Sequence, residues 1–318
     1  MENFLKASLL YFFLAVLVVL VFRDDPRLIL SSAASSRAAN STFFVQMGGG
    51  ILLFGLVSGF FLYPGQSRII LNNVLFAVVG NFFFHSGFTL MKTSMPYIVP
   101  FWADTWLVDL DQWLHLGVDP WEIVHAWGAY LPIRKTLPVY FEVWGVVAVF
   151  GPVLIAAFDP NLVRMKRYLL LYGAAWVVVG NILALGGMSA GPVYYDRVYG
   201  TERFFDLAVA LQNSPFNGHL LKVIQENLWQ VYAENGQAFG SGISAFPSVH
   251  VSSAMVGGLY LIERSRWLAL PAVGFVAAVL LLSVYTGYHY ALDGYVSILV
   301  IAGLWYWLKR REIAASAA

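Results

Sequence analysis

The chain has 318 residues, 59% of them hydrophobic and only 12% charged, with a formal net charge of +1. That composition lies far from the soluble mix, and the near-zero charge points away from a nucleic-acid partner. No cysteine is present, which excludes disulfides, thiolate chemistry and cysteine-based metal sites without fixing the compartment.

Several apolar runs approach the roughly 20 residues needed to cross a bilayer. The expected fold is all-α: a polytopic membrane helical bundle of about eight spans. In chain order the runs are 5–22, 43–63, 69–91, 138–158, 168–187, 247–263, 267–288 and 290–308, all within one domain, 1–318. The N-terminal spans occupy 1–91. The first run has only Lys6 ahead of it and no small-residue cleavage site after it, so it reads as a retained anchor. Asn40-Ser41-Thr42 matches a glycosylation acceptor, a triplet common by chance.

Positive charge orients the set. Arg164, Lys166 and Arg167, then Arg264 and Arg266, then Lys309, Arg310 and Arg311 fall on one side, joined by Lys6 and Arg68. That side is expected to be cytoplasmic and to hold both termini. Arg23, Arg27, Arg37, Arg134 and Lys135 count against this assignment. Residues 23–42, 92–137 and 188–246 then lie on the extracytoplasmic face.

The third and fourth runs carry Asn81, His85 and Glu142, which are costly in lipid and are expected to face the protein interior or a water-filled cavity. Asn81 and, in the fifth run, Asn181 read as helix-to-helix bonding residues. For Glu142 and His85 a structural and a functional role both stand.

Segment 92–137 is too long for a simple connector. Trp102, Trp106, Trp113, Trp121 and Trp127 suit a membrane interface, with Asp104, Asp109, Asp111, Asp119 and Glu122 interleaved. It reads as an interfacial external loop of short helices, its acids either solvated or shaping a polar acceptor pocket. His115 and His125 read as structural.

Residues 202–234 place Phe204, Leu207 and Leu211, then Leu220, Leu221, Ile224 and Leu228, at the spacing of amphipathic helices. Gly236, Gly240 and Gly242 follow, a loop able to bring backbone amides close to an anion.

Pro247-Ser248-Val249-His250 then opens an apolar run. Proline suits a first helical turn because its missing N–H is not needed there. Ser248 and His250 would lie beside free N–H groups, where phosphate is favoured. His289 and Asp293 are four apart and share a helical face. A carboxylate behind a histidine fixes its tautomer. Two histidines, a serine, an orienting aspartate and an anion site suit phosphoryl transfer without a metal or other cofactor.

These residues also resemble a known family. Phe246-Pro247-Ser248-Val249-His250 is similar to the Pro-Ser-x-His motif of the type 2 phosphatidic acid phosphatase (PAP2) superfamily, and His289-x-x-x-Asp293 to its last motif. Ala-Phe-Pro-Ser-Val-His and His-Tyr-x-x-Asp look most like the fungal inositol phosphorylceramide synthase (inositolphosphotransferase) branch, and the second pattern is also similar to sphingomyelin synthases. The resemblance implies a PAP2-like catalytic core over 138–308, with interfacial helices on the external face. It implies that His289 attacks phosphorus to form a phosphohistidine, Asp293 orients it and His250 protonates the leaving oxygen. Ser248, Gly242, Tyr195 and Arg197 complete the expected substrate-binding set.

Two basic features of the superfamily are missing where they are sought. Its first motif, lysine followed six residues later by Arg-Pro, is absent from 189–197, where Arg197 is the local substitute; the alternative is a loop arginine paired with Asp196. Six residues before His289, where the last motif has arginine, stands Ser283. Fewer clamps fit a phosphodiester better than a monophosphate. The expected partners are therefore the membrane, a phospholipid donor and a lipid or polyol acceptor. A lipid or polyprenyl phosphate phosphatase is the alternative, and a non-catalytic lipid binder or transporter the second.

Overall fold

A computed structural model describes residues 1–23, 25–29, 50, 57, 65, 67–128, 130, 133–214, 219–238 and 240–317. Every regular element among them is helical. The expected span 43–63, apart from residues 50 and 57, and the triplet Asn40-Ser41-Thr42 lie outside the described residues.

Helix α1 (Glu2–Phe22) lies along α2 (Ser67–Ile98). Two glycines of α2 allow the close approach: a Cβ at Gly80 would stand 3.0 Å from the Phe4 ring, and one at Gly87 3.0 Å from the Phe12 backbone. Small residues at such seams are the usual means of packing helices within a membrane. Helices α5 (Lys135–Phe158) and α6 (Leu162–Gly186) follow the first interfacial segment. The chain closes with α10 (Val249–Arg264), α11 (Ala269–Tyr285) and α12 (Ala291–Ala317). Among the described residues, six helices are long and apolar enough to cross a membrane. The run expected at 247–263 becomes α10, which has 16 residues and is shorter than those six. Its buried face, from Val249 and Val251 to Leu259, is enclosed by α5, α6, α11 and α12.

Five short helices gather at one end of the bundle: α3 (Asp104–Leu114), α4 (Pro120–Gly128), α7 (Pro192–Tyr199), α8 (Phe205–Gln212) and α9 (His219–Ala233). Leu107, Leu207, Leu211 and Leu221 join Tyr195, Phe204 and Tyr290 in one apolar cluster beneath them. At the opposite end, Arg167 binds Glu263 and Glu312, and Arg164 binds Asp159 at 2.6 Å. The cationic loops that orient the chain by sequence are thus joined into an ion-pair network.

The polar residues inside the spans mostly bond between helices. Asn81 Nδ2 donates to the Val149 carbonyl at 2.7 Å. Tyr172 OH sits 2.8 Å from His85 Nε2 and donates to the Ala148 carbonyl at 3.0 Å. Tyr11 OH donates to Asn181 Oδ1 at 2.5 Å. His85 therefore belongs to this structural network. Glu142 departs from expectation: it is exposed. It lies in a π-helical stretch, Val139–Val143, whose extra residue per turn rotates it off the inner face while turning Tyr140 inward.

Candidate active site

The two sequence motifs meet at the end of the bundle that carries the short helices. The His250 and His289 rings are 5.6 Å apart, centroid to centroid. Helix α10 starts at Val249, two residues later than the proline rule suggests. Ser248 is its N-cap, with Oγ accepting the Val251 N–H, so Pro247 precedes the helix rather than opening it. The hydroxyl of Ser248 is fully buried and engaged with its own helix. Its backbone N–H donates to the Asp293 carbonyl at 3.2 Å. Ser297 Oγ closes the link, donating to the carbonyls of Ser248 and Asp293 at 2.9 and 2.8 Å.

His289 lies in the connection before α12 rather than on the helix. Asp293 is in the first turn and its carboxylate reaches backwards. Oδ2 accepts the Tyr290 N–H at 3.1 Å and stands 3.1 Å from His289 Nδ1. The pairing predicted from helical spacing forms by the reach-back of a capping box. It fixes the ring with Nδ1 toward the carboxylate, and the ring also meets the backbone of Ala245. Burial first, then the neighbouring His250 and Lys92, hold the His289 imidazole well below its usual range, and so neutral.

His250 is stacked between Tyr140, 4.8 Å away at 14°, and Trp144, 4.2 Å away at 29°. Both aromatics come from α5 at its π stretch. Trp144 Nε1 also donates to the His250 carbonyl at 2.9 Å.

The cation of the site is Lys92, which sequence reasoning missed. The span expected to end at residue 91 continues to Ile98, so Lys92 is inside the helix and buried. Its Nζ donates to the Ser244 carbonyl at 2.8 Å, and its charge acts on His250, His289 and Asp293. A lone lysine in an apolar helix is the signal that could have found it. Six residues separate Lys92 from Val99-Pro100. That is the spacing of the superfamily's first motif, with valine at the arginine position.

Gly242, with φ +107°, lets the loop lie against this lysine: a Cβ there would stand 2.7 Å from Lys92 Cγ and 3.0 Å from its carbonyl carbon. Arg197 is placed elsewhere. Its guanidinium binds Glu226 at 2.6 Å and lies over Trp229, on an exposed surface. Asp196 is not its partner; that carboxylate accepts from Thr201 and the Phe204 N–H. Tyr195 is buried against Tyr199 and Phe204. Ser244 Oγ, Tyr288 OH and Asp293 Oδ1 are buried without a hydrogen-bond partner, so bonding capacity remains beside the histidines.

Segment 92–137 supplies structure to this site. Asp104 and Asp111 are buried and bind backbone N–H groups at 190–191 and 291–292, which corrects the reading of their charges as solvated. Desolvation raises both carboxyls above their usual range, opposed by those N–H groups. Asp119 binds Arg203 at 2.8 Å. His115 Nε2 lies 3.0 Å from Tyr295 OH, and His125 Nε2 donates to the Tyr285 carbonyl at 2.8 Å. Both are structural contacts.

No curated protein and no solved structure matches the chain. A family model described as the PAP2 superfamily matches residues 105–307. That stretch contains both histidine motifs, and the chain belongs to the PAP2 superfamily.

Proposed function

We propose that the protein transfers a phospho-headgroup from a phospholipid to a hydroxyl acceptor through a phosphohistidine on His289. Neutral His289 attacks phosphorus with Nε2. The bond from phosphorus to the lipid oxygen breaks, and His250 delivers a proton to that oxygen. An acceptor hydroxyl then attacks phosphorus, gives its proton to His250, and restores His289 as the P–N bond breaks. Acid–base assistance of this kind is worth about 10²–10⁴ in rate. Lys92 holds a phosphoryl oxygen and balances charge as it develops.

The observation that carries this reading is the pairing of His289 Nδ1 with Asp293 Oδ2 at 3.1 Å, with His250 one ring away. Transfer is favoured over hydrolysis by valine at the arginine position of the first motif and by Ser283 in the last: one lysine suits the single charge of a phosphodiester. Unpartnered Ser244 Oγ and Tyr288 OH suit a polar headgroup. Hydrolysis of a lipid monophosphate is the second reading, favoured by the lysine itself at the expected spacing. By the positive-inside rule, the site opens on the extracytoplasmic face and both termini are cytoplasmic.

The test incubates purified protein with labelled phospholipid donors, with and without acceptor alcohols, and follows lipids by mass spectrometry. A new phospho-headgroup product that needs both an acceptor and His289 is expected. Free phosphate released without acceptor would replace transfer by hydrolysis.

A further inference from the structure

Helix α3 sorts its side chains by face. Asp104, Leu107, Val108 and Asp111 are buried, the i, i+3, i+4, i+7 stripe of an amphipathic helix. Trp106 and Trp113 are exposed on the other side, as is Asp109. Two carboxylates on a buried stripe would normally be replaced by leucines, because buried charge is expensive. Here each one is fully engaged. Asp104 accepts the N–H groups of Ala190 and Gly191 at 2.8 and 2.9 Å, the Tyr290 hydroxyl at 3.0 Å and the Tyr199 hydroxyl at 3.2 Å. Asp111 accepts the N–H groups of Ala291 and Leu292, both at 3.0 Å.

These targets surround His289. Residues 291 and 292 open α12. Their own chain offers no cap, since Tyr290 has no short acceptor and Asp293 Oδ2 is occupied by Tyr290 N–H and His289. Asp111 is therefore the N-cap of α12, supplied from another helix. Residues 190 and 191 brace the other side. Gly191, at φ +84°, packs so closely that a Cβ would stand 2.4 Å from the Tyr288 carbonyl oxygen. The segment 288–293 is thus gripped at both ends from α3.

We infer that Asp104 and Asp111 are positioning residues that set His289 and Asp293 against His250, so that α3 is part of the catalytic apparatus and not only an interfacial anchor. This rests on the proposed histidine chemistry. Neither aspartate touches the histidine rings; both act through backbone that carries His289 and Asp293.

The test uses the full chain in phosphatidylcholine nanodiscs and the variants Asp104→Asn, Asp111→Asn and, as control, Asp109→Asn. An asparagine keeps one acceptor but turns an NH₂ toward the second N–H. Four quantities are read: kcat and KM on the donor the wild type consumes, the unfolding midpoint, and the ¹⁵N signals of labelled histidines. A misplacement of about 1 Å costs roughly 10²-fold, so kcat is expected to fall about that far in both buried-aspartate variants. KM and the signals of histidines remote from the site are expected to hold, the His289 signals to move, and Asp109→Asn to match the wild type. An unchanged kcat with only a lowered midpoint would overturn the inference, as would unmoved His289 signals. Wild-type turnover that survives His289→Ala, or no turnover of any donor, would instead remove the proposed chemistry. The His289 signals of the variants would still decide whether α3 positions that ring.

Discussion

Lys92 shows what one side chain does at this site. It sits in apolar surroundings, donates to the Ser244 carbonyl, and is the cation felt by both histidines. A charge-assisted hydrogen bond is worth about 1.5–3 kcal/mol, or roughly 10- to 10²-fold in rate. Lys92→Met is expected to lower kcat/KM by about that factor while the protein still folds, since methionine fills the same space. Wild-type kinetics in this variant would remove Lys92 from phosphate binding. The pH profile is a second residue-level test. His289 must be neutral to attack, and its protonation is displaced below the ordinary imidazole range by burial first, then by the neighbouring His250 and Lys92. Activity should therefore hold as pH falls through about 6.5, the unperturbed value, and its His289 limb should appear only below it. A limb at or above that value would contradict the buried, neutral ring.

At the scale of elements, some of the site was legible in the sequence and some was not. Ser248, His250, His289 and Asp293 are motif residues separated by a few positions, and their local spacing points to the contacts they make. Residues brought in by other helices left weaker traces. Lys92 was hidden by a span boundary drawn at residue 91, because apolarity alone cannot say where a helix ends. Tyr140 and Trp144 reach His250 through a π stretch, which no 3.6-residue periodicity reveals. Asp104 and Asp111 looked like charges between interfacial tryptophans; their heptad spacing carried the true message, and the tryptophans occupy the opposite face. Arg197 was the local candidate for a clamp; α9 was legible as an amphipathic helix, but its docking beside α7, which pairs Arg197 with Glu226 at the surface, is a tertiary contact that local spacing does not give.

For the whole molecule, the all-helical membrane bundle follows from composition and run length, while the crossing of α10 inside it does not. That helix is the shortest of the bundle's long apolar helices and reaches the ion-pair cluster at its far end. Arg167, with Glu263 and Glu312, ties α6, α10 and α12 together there, while Ser248 and Asp293 tie α10 to α12 at the site. Arg167 and Glu263 are both buried. Removing one partner of a buried pair costs about 3 kcal/mol. Glu263→Gln is expected to lower the unfolding midpoint measurably, whereas Arg167→Met combined with Glu263→Leu should recover much of it. Equal losses in the single and double variants would show that the pair is not coupled.

The most direct measurement is of the covalent intermediate. The protein is mixed with a phospholipid donor in the absence of acceptor, quenched at alkaline pH to preserve phosphohistidine, digested and read by mass spectrometry. The expected result is an adduct of phosphate plus headgroup on the peptide containing His289, absent in His289→Ala and chased by adding an acceptor alcohol. Turnover of the donor without any adduct on that peptide, or an adduct on another residue, would contradict the assignment of His289 as the nucleophile.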